Sequence, residues 1–290
     1  MTRRFRLATL GLLLIAAAPA RAKVIEDVVD LPVRVVSGKG ETIEQTIKLT
    51  IFRDDARARA PYLIINHGRA VSADERAAFG RARFGDRARE FVAMGFVVLL
   101  PTRVGYGVSG GPDVEDSGEC RARNYPPAYE AAAEQTRRAI DYARRLAYVD
   151  AGHGVVLGQS FGGATALAVA AKNIPGVKAA VNFAGGGGGN PKTRPANPCG
   201  DDRLRALFAS YGKAARISTL WLYSENDQFF GVEKPKQWFE AFRASGGRGE
   251  FVTLPRFEPD GHRSFNGNPG AWRSTVDAFL RQTMGSALRP

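Results

Sequence analysis

The chain contains, in the order serine, acid, histidine, the residue types that together cleave an acyl bond. The serine is Ser160, in Gly158-Gln159-Ser160-Phe161-Gly162, a match to G-x-S-x-G. In that pattern the glycines let the chain turn sharply from strand to helix and lift the serine hydroxyl clear of the sheet. The pattern is short and occurs a second time, around Ser109 in Gly107-Val108-Ser109-Gly110-Gly111. That copy lies in a loop, Pro112 follows it, and no helix begins there. Ser160 has Val155-Val156-Leu157 before it and a run of small and apolar residues after it. Strand, turn and helix therefore coincide at Ser160, and it is the candidate nucleophile.

A serine hydroxyl attacks only when a neighbouring base takes its proton. His262 lies in the turn-rich segment Pro259-Asp260-Gly261-His262-Arg263-Ser264-Phe265, between the last expected strand and the last expected helix. It is the candidate base. His67 precedes Gly68 in an earlier loop and is better suited to shaping an oxyanion pocket. His153 stands before the nucleophile strand, at the opposite end of the sheet. An acid must orient the imidazole. Asp227, in the loop after Trp221-Leu222-Tyr223, is the candidate, with Glu225 as the alternative nearer the strand. Asp260 is too close in sequence to His262 to support the ring from behind. Acyl transfer also needs N–H donors for the developing oxyanion, worth about 3–4 kcal/mol each. The N–H of Phe161 follows the nucleophile, and the second donor is expected from His67-Gly68-Arg69-Ala70, at Arg69.

These side chains need a scaffold. Val24 to Val36 and Thr42 to Phe52 alternate partly between apolar and polar, which predicts two antiparallel strands about a Gly38-Lys39-Gly40 turn. Tyr62 to Asn66, Phe96 to Leu100, Gly154 to Gly158, Val177 to Ala184, Thr219 to Tyr223 and Glu250 to Leu254 are the apolar runs of further strands. Helices are expected over 73–94, 127–147, 161–172, 235–244 and 269–283. Residues 102–126 form a long polar loop, Gly185 to Gly189 a glycine stretch, and 190–215 a polar segment in place of an apolar lid. Two opening strands followed by strand–helix alternation predict one α/β domain with a mostly parallel, doubly wound sheet and an N-terminal antiparallel pair.

The 290 residues suffice for one large domain with a proper core. With 44% hydrophobic and 24% charged residues, a disordered chain or a coiled coil is excluded. Residues 1–22 carry Arg3, Arg4 and Arg6, a short apolar run from Leu7 to Ala18, and Ala20-Arg21-Ala22. This is the pattern of a cleavable export signal, with 23–290 as the mature chain. The apolar run is too short to span a bilayer, so no stable membrane insertion is expected after cleavage, and the protein is expected in the periplasm or outside the cell. The net charge of +12 falls to +8 without that segment. Its arginines are interleaved with acids, so a solvated surface is expected rather than a nucleic-acid partner. Cys120 and Cys199 are an even pair in an oxidising compartment, which favours one disulfide tying the two upper loops into a rim. Three histidines provide no multi-histidine metal site, and no cofactor is expected.

Taken together, the His67-Gly68 loop, the elbow at Ser160, Asp227 after the next-to-last strand and His262 before the last helix resemble the α/β-hydrolase superfamily across the whole mature chain. The segments Tyr148-Val149-Asp150, Val155 to Ser160 and Tyr223-Ser224-Glu225-Asn226-Asp227 look like its dienelactone hydrolase and acyl-peptidase-like branch. Dienelactone hydrolases proper carry cysteine at the nucleophile, so their substrate is not implied. The resemblance implies a single α/β-hydrolase domain and a cofactor-free serine esterase acting on a small or oligomeric ester. A peptidase or amidase with the same triad, and a silent fold used for binding, are the alternatives. Arg69 is expected either to bind a substrate carboxylate or to pair with a nearby acid. Phe229, Phe230 and Trp238 are expected to line the pocket or to belong to the core.

Overall fold

The computed structural model describes residues 23–70 and 72–288; the expected export signal, 1–22, lies outside the described residues. Eight strands form one sheet: β1 (Val24–Val36), β2 (Thr42–Asp54), β3 (Ala60–Asn66), β4 (Val97–Thr102), β5 (Val149–Gln159), β6 (Val177–Phe183), β7 (Ser218–Ser224) and β8 (Arg248–Leu254). Their order is β1-β2-β4-β3-β5-β6-β7-β8. The opening pair is antiparallel with Val36 opposite Thr42, and β2 runs antiparallel to β4. Every later pairing is parallel. The expected doubly wound α/β sheet with an antiparallel N-terminal pair is the observed architecture.

The helices are α1 (Ala73–Ala77), α2 (Gly85–Ala93), α3 (Tyr125–Ala143), α4 (Phe161–Ala171), α5 (Asp201–Ala214), α6 (Glu233–Ala244), α7 (Ser264–Gly267) and α8 (Arg273–Met284). Continuous apolar runs arise because both faces of the central strands are covered. Successive side chains point to opposite faces. In β3, Tyr62 and Ile64 join the core under α3–α6, while Leu63 and Ile65 join the core under α2 and α8. Helix α4 is buried from Phe161 to Ala170, and its Gly and Ala residues let it lie close against β5 and β6.

Two expectations fail locally. The Ala/Arg/Glu-rich stretch 73–94 is not one helix. Its middle crosses β2 and β4, where Ala82 N–H donates to Thr102 Oγ1 (2.9 Å) and Thr50 Oγ1 donates to the Ala82 carbonyl (3.0 Å). Gly80 and Phe84 take φ of 71° and 42° on either side. Helix propensity amounts to tenths of a kcal/mol per residue and yields to such tertiary bonds. The polar segment 190–215 in turn contains α5, whose buried Leu204, Leu207 and Phe208 have helical spacing and whose first turn carries Asp201 and Asp202. That period was legible in the sequence. Among the described residues no helix is long and apolar enough to cross a membrane.

Candidate active site

The parallel registers bring the loops of interest to one edge of the sheet. Asn66 lies beside Gly158, Gln159 beside Phe183, Phe183 beside Leu222, and Ser224 beside Leu254. The carboxyl ends of β3, β5, β7 and β8 therefore release the His67 loop, the Ser160 turn, the Asp227 loop and the His262 segment at the same end. This is where open α/β sheets place ligands.

Ser160 joins β5 to α4 with φ 58° and ψ −126°, a conformation that L residues rarely adopt. Its N–H donates to the Phe183 carbonyl (2.9 Å), and its own carbonyl accepts from Gly163 N–H (2.9 Å). The flanking glycines are required by close approach. A Cβ on Gly158 would stand 2.0 Å from the Gly162 carbonyl oxygen, and one on Gly162 would stand 2.2 Å from the Asn66 carbonyl oxygen. The second pattern match has another use. Ser109 is buried, its hydroxyl donates to the Thr102 carbonyl (2.5 Å) and accepts from Lys48 N–H (3.0 Å), and it braces the loop after β4 against β2.

His262 and Asp227 meet. Their separation from His262 Nδ1 to Asp227 Oδ2 is 2.9 Å, and both side chains are buried. The other carboxylate oxygen of Asp227 accepts from Phe229 N–H (2.8 Å) and Phe230 N–H (3.0 Å), so the carboxylate is held from its own loop. The imidazole stacks on Phe229, with ring centres 4.1 Å apart. Glu225, by contrast, is exposed. His153 pairs with Asp150 at the start of β5.

Three supports escaped the sequence reading. Asn226 brackets the two loops, its Nδ2 donating to the Phe257 carbonyl (3.1 Å) and its Oδ1 accepting from Phe257 N–H (3.0 Å). Asp260 does not touch the ring, but its Oδ1 accepts from both His262 N–H and Gln228 N–H, each at 2.9 Å. An Asp two residues before a key histidine is an Asx-turn signal, visible in the sequence. The third support is Arg103. It is fully buried, pairs with Glu115, and donates through Nη1 to the His67 carbonyl (2.9 Å). Tyr106 Oη donates to the same Glu115 (2.9 Å). No periodicity announces a buried ion pair whose members lie on a loop.

His67 is part of this brace. Its Nδ1 donates to the Gly68 carbonyl (2.7 Å) and its Nε2 accepts from Arg103 N–H (3.2 Å), which defines a neutral imidazole. Burial, with the Arg103 charge beside it, holds its pKa well below the usual imidazole value. The unfolded chain takes up a proton near pH 6.5 while the folded chain does not. The stabilisation due to neutral His67 is thus complete above about pH 6.5 and is lost as pH falls toward the lowered folded value, by at most about 1.4 kcal/mol per pH unit. Denaturant unfolding between pH 7 and 5 is expected to show this slope in the wild type and to lose that component in His67→Gln; equal slopes would contradict it.

Among the described residues, neither the Phe161 N–H, at the first position of α4, nor the Arg69 N–H donates to another protein group. The Arg69 side chain resolves to the ion-pair alternative. It forks onto Asp113 (2.7 and 2.6 Å), and Arg76 adds a contact to the same carboxylate (3.1 Å). Although burial opposes its ionisation, these guanidiniums hold the Asp113 carboxyl below its usual range. A cavity of about 370 Å³ opens over Ser160 and Phe161, walled by Phe229, Phe230 and the glycines Gly186 to Gly189. Trp238 belongs to the core instead, its indole N–H donating to Asp201 (2.7 Å). Cys120 and Cys199 are bonded, joining the loop before α3 to the segment before α5. No group of three His, Cys, Asp or Glu side chains among the described residues is arranged to hold a metal ion.

No curated protein matches the chain in sequence. The fold is shared with solved hydrolases. An S-formylglutathione hydrolase from Agrobacterium tumefaciens aligns over 93% of this chain and 99% of its own, at 14% identity and a TM-score of 0.59. An esterase from Pyrococcus furiosus aligns over 89% and 91%, at 15% identity and 0.55. A dienelactone hydrolase-like promiscuous phosphotriesterase from metagenomic libraries aligns over 90% and 99%, at 17% identity and 0.53. At such identities the likeness shows the fold alone. The family model for dienelactone hydrolases matches residues 76–262, well over half the chain. That span runs from the segment after the His67 loop, through the serine elbow and the Asp227 loop, to His262. The chain is thus a serine hydrolase belonging to the dienelactone hydrolase family.

Proposed function

We propose that the protein is an exported hydrolase that cleaves a carboxylic ester through an acyl-enzyme on Ser160. The observation that carries this reading is the buried bond between His262 Nδ1 and Asp227 Oδ2 (2.9 Å) at the sheet end that also carries the strained serine. With Nδ1 donating to the carboxylate, Nε2 is the basic nitrogen. The Ser160 hydroxyl attacks the ester carbonyl as its proton passes to Nε2. The carbonyl oxygen becomes an oxyanion that accepts from the N–H groups of Phe161 and Arg69. Collapse of this intermediate breaks the bond to the alcohol, which leaves with the proton held on Nε2. A water molecule then repeats the sequence on the acyl-enzyme and releases the acid. Asp227 holds the ring in orientation and stabilises the imidazolium. No step calls for a cofactor. Export is supported by the signal-like residues 1–22 and by the Cys120–Cys199 disulfide, a bond that persists in oxidising compartments.

The test is labelling with a fluorophosphonate probe together with hydrolysis of p-nitrophenyl acetate and butyrate. Peptide mapping is expected to find the probe on Ser160. Hydrolysis of the matching p-nitroanilides at a higher kcat/KM than the esters would make the enzyme an amidase. Neither labelling nor turnover would leave a silent fold used for binding.

A further inference from the structure

The edge of the sheet opposite Ser160 is formed by the amino ends of the parallel strands. Ala60 lies there beside Val149, Gly154 beside Val177, Ala179 beside Ser218, and Ser218 beside Arg248. Six exposed cations stand along it. Arg144 and Arg145 follow α3, Lys178 is the second residue of β6, Lys213 is in the last turn of α5, Arg216 precedes β7, and Arg248 opens β8. Among the described residues no ion pair engages any of the six. The loops that carry them are held together: Arg216 N–H donates to Asn173 Oδ1 (2.9 Å), and Asn173 Nδ2 donates to the Ala214 carbonyl (3.0 Å).

The acids of this edge are already engaged. Asp150 pairs with His153 (2.7 Å), Asp54 with Arg57 (3.8 Å), and Asp55 Oδ1 accepts from Lys23 N–H (3.0 Å). Glu240 and Glu250 are exposed but stand back from the edge, one turn before the end of α6 and two residues beyond Arg248. A cation at a helix C-terminus complements the partial negative charge there, which accounts for Arg144, Arg145 and Lys213. Lys178 and Arg248 stand at strand starts, where the net dipole is small. Six unpaired charges are a large share of the net +8 of residues 23–290. Like charges on one edge repel, and a surface of opposite sign relieves that repulsion.

The chain also enters the fold at this edge. Lys23 is bonded to Asp55 in both directions, its carbonyl accepting from Asp55 N–H (3.2 Å). In the sequence only four residues separate Lys23 from Ala18, the end of the apolar run of the expected export signal. Four residues reach at most about 14 Å. A membrane that holds that run therefore lies on the side of the basic edge.

We propose that this edge is a docking face for the headgroups of an anionic phospholipid membrane, bound peripherally by residues 23–290 with the Ser160 cavity turned toward water. A substrate then reaches Ser160 from the aqueous side. This does not depend on the ester hydrolase reading, because it needs no turnover.

The test is co-sedimentation of residues 23–290 with vesicles of phosphatidylcholine alone or with about one third phosphatidylglycerol, at about 0.05 M and about 0.5 M salt. The chain is expected to sediment only with the anionic vesicles, and only at the lower salt. A cation near such a surface is worth about fivefold in partitioning. Lys178→Gln alone is thus expected to weaken binding about fivefold, and the triple variant Lys178→Gln, Arg216→Gln, Arg248→Gln about a hundredfold. The triple variant Lys39→Gln, Arg121→Gln, Lys192→Gln removes the same charge from exposed residues at the opposite edge and is expected to bind like the wild type. Circular dichroism and the thermal midpoint check that each variant is folded. No sedimentation with the anionic vesicles overturns the docking face. An equal loss in the two triple variants also overturns it, because net charge alone would then be responsible. Retention on heparin without vesicle binding overturns it in favour of a soluble polyanion.

Discussion

Ser160→Ala is expected to lower kcat for p-nitrophenyl butyrate by about 10⁶-fold, the scale on which loss of a triad nucleophile acts. The change removes one oxygen and keeps the Cβ, so the strained turn at φ 58° and its backbone bonds to Phe183 and Gly163 have no reason to move. Fluorophosphonate labelling is expected to vanish with the activity, while circular dichroism and the thermal midpoint stay close to those of the wild type. Residual hydrolysis within tenfold of the wild type would move the nucleophile elsewhere in the chain. Ser109 is a poor substitute, because its hydroxyl already donates to the Thr102 carbonyl from a buried position.

Asp227→Asn is expected to lower kcat by about 10⁴-fold, the scale seen when the orienting acid of such a triad becomes an amide. The structure supplies the reason. The carboxylate accepts two backbone N–H bonds through Oδ1, from Phe229 and Phe230, and faces His262 Nδ1 through Oδ2. An Asn at this position keeps its carbonyl oxygen on the two N–H groups, which need an acceptor, and therefore turns its amide nitrogen toward the imidazole. Nδ1 must then accept, the ring proton moves to Nε2, and the base loses the lone pair that would take the serine proton. Assay of kcat on the purified variant checks this, with substrate saturation confirming that the loss lies in turnover. A fall smaller than tenfold would show that another group orients the ring, and exposed Glu225 is not placed to do so.

The parallel core and the candidate site at its edge were legible in the sequence for a common reason. A strand covered on both faces has to be apolar throughout, so β3, β4 and β5 declare themselves as short runs of Val, Ile and Leu. A turn too tight for side chains has to carry glycine, so Gly158 and Gly162 mark Ser160. Both are local constraints, written within about ten residues. The break between α1 and α2 is not, because the bonds that claim Ala82 come from Thr50 and Thr102, on strands formed by other parts of the chain. Helix α5 is marked in the sequence by the spacing of Leu204, Leu207 and Phe208, which the polar residues around it dilute.

The sequence by itself determined the fold class, the order serine–acid–histidine, and which serine stands at a strand–helix turn. Tertiary structure alone decided which acid faces His262, what Arg69 holds, and that Arg103 and Glu115 brace the His67 loop from inside. The physical reason is range. Apolar periodicity and glycine geometry act between neighbours in the chain, whereas a charge is satisfied by whatever the fold brings within about 4 Å, and composition does not reveal those partners.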